Sequence, residues 1–272
     1  MNLGDGGPPR RGRCICFLRT AAAVAVTAFV VSVPTAVLGG QGAAPAAAYR
    51  APRTPDGQPD LQGIWQALNT AVWDIEDHSA QLGVPAGLGI VEGGAIPYLP
   101  SALARRKENF ERRLTDDPEA RCYMVGVPRI TYMPYPFQIV QTPTQVTMLY
   151  EYVHSVRPIH LNSPHPPGTL AWWLGDSRAR WEGETLVVDV VDFTDQTWFD
   201  RSGNYHSTAL HVVERYTRTS PDIMLYEATI EDPKVFSRPW TISMPLYRRQ
   251  EANMRLLEYE CYAYLEAERD RR

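Results

Sequence analysis

From Phe137 onward, apolar residues recur at every second position in short runs separated by turn signals. Only an extended strand puts alternate residues on one face, and short turns force consecutive strands to pair antiparallel. Residues 137–142 and 146–154 flank Pro143-Thr144, with Val146, Met148, Tyr150, Tyr152 and His154 on one face of the second run. Residues 179–181 and 185–193 flank Glu182-Gly183-Glu184, and residues 210–218 and 223–231 flank Pro221-Asp222. Trp240, Ile242, Met244 and Leu246 then alternate with Thr241, Ser243, Pro245 and Tyr247, where Pro245 marks an edge or a bulge. Leu257, Tyr259 and Cys261 predict a final strand. No parallel strand–helix–strand rhythm is present. The reading is a mainly β chain: an antiparallel up-and-down barrel, preferred over a sandwich because closure removes exposed edges.

That body spans residues 121–272. Before it, residues 49–120 read as a Pro/Gly-rich extension with a first strand at 61–66, a loop at 83–100 and one helix at 101–114. Ser101 is the expected N-cap, and Leu103, Phe110 and Leu114 recur at helical spacing. One register is left open. A two-residue turn at Pro221-Asp222 puts His211, Val213 and Arg215 on the face of Met224 and Tyr226, whereas a three-residue turn inverts that assignment.

Residues 1–48 are different in kind. Arg10, Arg11, Arg13 and Arg19 precede an apolar run from Ala21 to Leu38 and a tail ending Ala46-Ala47-Ala48, the order of a secretory signal. The expected location is therefore periplasmic or extracellular, with no stable membrane span after cleavage. This leader takes four of the 27 basic residues and one of the 31 acidic, so the remaining 224 residues carry a formal charge of −7. Such a body lacks the clustered positive charge that nucleic acid requires. Cys14 and Cys16 leave with the leader, and Cys122 and Cys261 remain to form one bridge or to stay as separate thiols.

Gly63-Ile64-Trp65 near the start of a meander resembles the G-x-W signature of lipocalins, the calycin-type barrels in which the Trp plugs one end. That resemblance implies a covering Arg from a late strand, for which Arg248 and Arg249 are available. The segments PDLQGIW, RCYMVGVPR, PYPFQIVQTP, LYEYVH, GDSRARWEGETLVVD, HSTALHVVERY and IEDPKVFSRPW are similar to a group of largely uncharacterised secreted proteins of soil bacteria. This second resemblance implies export and a shared architecture.

Three chemistries compete for the polar residues. The first is binding of a small hydrophobic or aromatic molecule by Met148, Tyr150, Arg157 and the paired Trp172-Trp173, with an Arg available for an oxyanion. The second adds cofactor-free acid–base conversion of isomerase, cyclase or lyase type by His154 or His211 with Tyr152, Tyr226, Asp189 and Arg215. No cofactor is needed for either. The alternative is a divalent-metal enzyme built on two or three of His154, His160, His165, His206 and His211, with Glu214 or Asp189; a non-catalytic carrier or envelope protein is the other competitor. Gly175-Asp176-Ser177 lacks the context of a serine nucleophile and is expected to start a turn.

Overall fold

The computed structural model describes residues 49–271 apart from 82 and 169; the expected signal segment, 1–48, lies outside them. Nine strands close into a barrel in chain order: β1 (Gly63–Ala67), β2 (Phe137–Gln141), β3 (Gln145–Tyr150), β4 (Val156–Leu161), β5 (Asp176–Glu182), β6 (Thr185–Val191), β7 (His211–Arg218), β8 (Ile223–Glu231) and β9 (Trp240–Arg248). The closed meander is as expected, but one joint is not antiparallel. An odd number of strands cannot close with every neighbour antiparallel, because direction must flip an even number of times around the ring. Here β4 and β5 take the parallel pairing, through only two registered pairs, His160↔Arg178 and Leu161↔Ala179. Two parallel neighbours need a crossover, and residues 162–175 supply it.

Four sequence expectations are corrected. The run at 146–154 ends as a strand at Tyr150, and Tyr152–His154 form a short 3-10 turn with positive φ at Val153 and His154. A hidden strand, β4, follows: Arg157 and Ile159 point inward while Val156 and Pro158 are exposed, so apolarity does not track the inner face. Asp176 and Ser177 begin β5 rather than a turn, with Ser177 buried. The stretch around Leu257–Cys261 is not a strand; the chain runs irregularly to helix α3 (Cys261–Arg269). Arg218 pairs with Met224 and Thr219 N–H donates to the Ile223 carbonyl, which leaves residues 220–222 as the turn. Of the two registers left open it is therefore the three-residue one, with Val212, Glu214 and Tyr216 inward and His211, Val213 and Arg215 not.

Trp65 is fully buried and donates Nε1–H to the Leu61 carbonyl at 2.9 Å. The cation covering it comes from β7, not β9: the Arg218 guanidinium lies 5.7 Å from its ring centroid and donates to the Asp60 carbonyl. Pro245 sits one residue past the β1–β9 ladder, whose last pair is Ala67↔Leu246, so its missing N–H breaks no bond to β1. Met148, Ile159, Leu186, Val188, Met224, Ala228 and Leu246 fill the interior with side chains.

The extension is bonded to segments 192–210 and 232–239, which join strands at one end of the barrel: Arg201 N–H donates to the Val72 carbonyl and Leu99 N–H to that of Val235. Its helix is shorter than expected, α1 (Leu103–Glu111) followed by α2 (Arg113–Asp116), and the cap position is Ala102 with no side-chain cap. The expected apolar stripe does not pack, since Leu103 and Leu114 are exposed. Asn109 is the buried side chain instead, donating to the Gly203 carbonyl at 3.2 Å. A Cβ on Gly203, which has φ of +81°, would lie 2.7 Å from the Phe110 nitrogen, so this approach requires glycine. Cys122 and Cys261 form a disulfide. Among the described residues no helix is long and apolar enough to cross a membrane.

Candidate functional site

The parallel seam opens the barrel wall. β4 and β5 are bonded only near His160 and Leu161, and toward their starts they diverge around a cavity of about 490 Å³. Val156, Arg157 and Pro158 form one side and Asp176, Ser177 and Arg178 the other, while the crossover contributes Pro166, Ala171, Trp172, Trp173 and Leu174, and Met124 completes the wall. Trp172 is held by its main chain, donating N–H to the Asp192 carbonyl and accepting from Thr194 N–H. Its indole is half exposed. Trp173 meets the Tyr123 ring edge-on at 5.4 Å. Apolar walls with a few fixed polar groups are the chemistry of a small-molecule site.

Arg157 and Ser177 carry that groove into the interior. Arg157 Nε donates to Ser177 Oγ at 3.0 Å, Nη1 donates to Glu214 Oε1 at 3.2 Å, and Nη2 donates to Glu214 Oε2. Glu214 Oε1 also accepts from the hydroxyls of Tyr216 at 2.9 Å and Tyr226 at 2.8 Å. All five side chains are buried. Two charges so far from water persist because each is paired and hydrogen-bonded. Burial, and then the negative charge on Glu214, push the Tyr216 and Tyr226 hydroxyls well above the ordinary tyrosine range. Tyr150 is raised by burial too, and its hydroxyl donates to Met148 Sδ at 3.2 Å. Thr131 Oγ1 is buried without a partner.

The expected site residues therefore divide. Met148, Tyr150, Arg157, Glu214 and Tyr226 are buried in the barrel, and Arg157, Trp172, Trp173 and His160 line the groove. Tyr152 donates to the Tyr123 carbonyl outside the strands, and His154 Nε2 accepts from Tyr259 N–H. His206 is buried against Phe193 and Phe199, contacts Thr197 Oγ1 at 2.7 Å, and is pushed below the ordinary histidine value by burial. His165 bridges Asp176 Oδ2 at 2.5 Å and Asp189 Oδ1 at 3.1 Å, and His211 Nε2 reaches the same Asp189 oxygen at 3.2 Å. Burial raises the Asp176 carboxyl, but hydrogen bonds from Arg178 and His165 outweigh it and hold the group low. Arg215 pairs with Glu182 on the outer face.

Thus the acid–base set of His154, His211, Tyr152, Tyr226, Asp189 and Arg215 is not assembled: Tyr226 points inward while His211 and Arg215 point out. Of the metal alternative only His165 and His211 meet, both at Asp189 Oδ1, while His154, His160, His206 and Glu214 lie elsewhere, and among the described residues no group is arranged to hold a metal ion. Sequence reasoning missed Ser177 and Tyr216. Tyr216 follows from the three-residue turn; Ser177 would have followed from extending the alternation of Ala179 and Trp181 back by two. No protein-family model, no curated protein and no solved structure matches this chain.

Proposed function

We propose that the chain is an exported barrel protein that binds a small hydrophobic or aromatic molecule in the groove between β4 and β5. The observation that carries this reading is the indole-walled cavity at the one parallel joint, with Arg157 and Ser177 at its floor. Export rests on the signal pattern of residues 1–48 and on the resemblance to secreted soil-bacterial proteins. The Arg157–Glu214 pair is neutral as a unit, which favours a ligand that is apolar apart from a group able to meet Arg157 or Ser177. Binding rather than turnover is the role proposed, because His154, His211 and Asp189 do not line the groove.

The test is fluorescence titration of the mature chain with N-phenyl-1-naphthylamine, a neutral aromatic probe. Trp172→Ala leaves the main-chain bonds of residue 172 in place and removes one wall. Losing an aromatic anchor is expected to weaken binding by tenfold or more, about 1.4 kcal/mol. Unchanged affinity in Trp172→Ala and in Trp173→Ala would overturn the proposal.

A further inference from the structure

A second cavity, of about 510 Å³, lies in the extension and shares no lining residue with the groove. Its walls include Trp73, Phe110, Tyr135 and Tyr259. The ion network on its floor is internally paired: buried Arg129 donates to Asp117 at 2.7 and 3.0 Å and to Glu119 at 2.6 Å, and Arg201 also donates to Glu119. Burial raises the Glu119 carboxyl, but the hydrogen bond from Arg201 and the two guanidinium charges outweigh it and hold Glu119 ionised. These two cations and two anions cancel, so the floor offers little net attraction for an ion.

Asp74 also lines the cavity, its Oδ1 accepting from Glu76 N–H at 3.0 Å and with no cation partner among the described residues; Arg113 and His78 likewise stand outside the ion network. Arg113 lies over the Phe110 ring at 4.1 Å, and its hydrogen bond among the described residues goes to the Phe110 carbonyl at 2.7 Å, not to a carboxylate. His78 has Nδ1 at 2.9 Å from the Glu76 carbonyl, which gives that nitrogen the proton and leaves Nε2 as an acceptor. That Nε2 is buried and has no partner. A guanidinium calls for an anion, and a lone-pair nitrogen calls for a hydroxyl donor. Aromatic walls call for a ring.

The fourth wall is delivered from the far end of the chain. The Tyr259 ring meets that of Tyr135 at 4.7 Å, tilted by 43°, and stacks on that of Tyr152 at 5.7 Å. The tail that carries it has no fully buried side chain described after Gln250. Two backbone bonds hold it, Leu257 N–H to Glu151 and Tyr259 N–H to His154, and the Cys122–Cys261 bridge fixes it two residues beyond Tyr259.

We propose that this cavity is a separate binding site for a small aromatic carboxylate that carries a ring hydroxyl, and that the disulfide completes the site by keeping Tyr259 in its wall. Arg113 takes the carboxylate and His78 Nε2 accepts the hydroxyl proton's hydrogen bond.

Isothermal titration of the oxidised mature chain with 4-hydroxybenzoate, benzoate and 4-hydroxybenzyl alcohol tests this. 4-Hydroxybenzoate is expected to bind most tightly. Arg113→Gln should weaken it by tenfold or more and leave the alcohol unchanged, while His78→Leu should erase the preference for hydroxybenzoate over benzoate. Removing both cysteines as Cys122→Ser/Cys261→Ser should weaken 4-hydroxybenzoate equally, as should Tyr259→Ala, which leaves the bridge intact and answers the case in which the cysteine variant folds poorly. Trp172→Ala should not change this binding. The proposal is overturned if wild type shows no binding in the millimolar range, if Arg113→Gln or Tyr259→Ala binds as wild type does, or if Trp172→Ala abolishes the heat, which would assign it to the groove. The groove reading is scored separately, by the neutral probe.

Discussion

Glu214 is the residue on which the barrel's interior most depends. Its carboxylate neutralises Arg157 and accepts the hydroxyls of Tyr216 and Tyr226, and all four side chains are buried. Glu214→Ala leaves the guanidinium without a counter-charge in the interior, at a cost of about 3–5 kcal/mol. At least one stranded tyrosine hydroxyl adds about 1–3 kcal/mol. For a body of this size each kcal/mol lowers Tm by roughly 2–4 °C, so the loss should be roughly 8–32 °C. Glu214→Gln keeps an acceptor oxygen for the tyrosines and should lose less. Replacing both charges with apolar side chains, Arg157→Met with Glu214→Leu, should be milder than Glu214→Ala alone, since no charge is left unpaired. Thermal melts followed by circular dichroism measure these three variants, and the cycle of wild type, Arg157→Met, Glu214→Leu and the double variant isolates the pair. A Glu214→Ala melt within about 2 °C of wild type, or losses that simply add across the cycle, would refute the reasoning.

Three further predictions follow from the same structure. Asp200 is buried, and burial first, then the charge of Asp74, raises its carboxyl from the ordinary 3.8 to about 7, although Ile75 N–H and Asn204 donate to it. A raised acid favours folding while protonated, so its contribution is complete below the ordinary value and is lost as pH climbs to about 7; urea midpoints across that window should fall, and Asp200→Asn should remove the slope. Tyr216 and Tyr226 are raised likewise, so stability should drop once pH passes the free-tyrosine value of about 10, as the unfolded chain ionises first. Reducing the Cys122–Cys261 bridge, which spans 139 residues, should cost up to about 5 kcal/mol on the loop-entropy account, read as a lower urea midpoint; an unchanged midpoint would show that the bridge constrains only the tail.

Most of the barrel was legible because its strands obey the rule that inward residues are apolar. Ile139, Met148, Val188, Tyr226 and Ile242 all alternate as read. β4 is hidden because one of its two inward residues is Arg157, a charge whose partner, Glu214, is 57 positions away and invisible to local patterning. The same long-range pair conceals the site. Arg157, Tyr150 and Trp172 were named individually, yet their relation depends on the parallel joint that nine strands impose. The face of His211 stays open in the sequence because a single residue of turn length inverts it, and only the pairing of β7 with β8 decides it. The tail's alternating Leu257, Tyr259 and Cys261 imitated a strand; a disulfide and ring stacking, rather than a ladder, hold it.

The proposed ligand entrance at the parallel seam is tested by a crystal structure of the complex with N-phenyl-1-naphthylamine. The naphthyl ring is expected between Trp172, Leu174 and Pro158, above Arg157 and Ser177. Ligand density elsewhere on the protein, with the space between β4 and β5 unfilled, would contradict it.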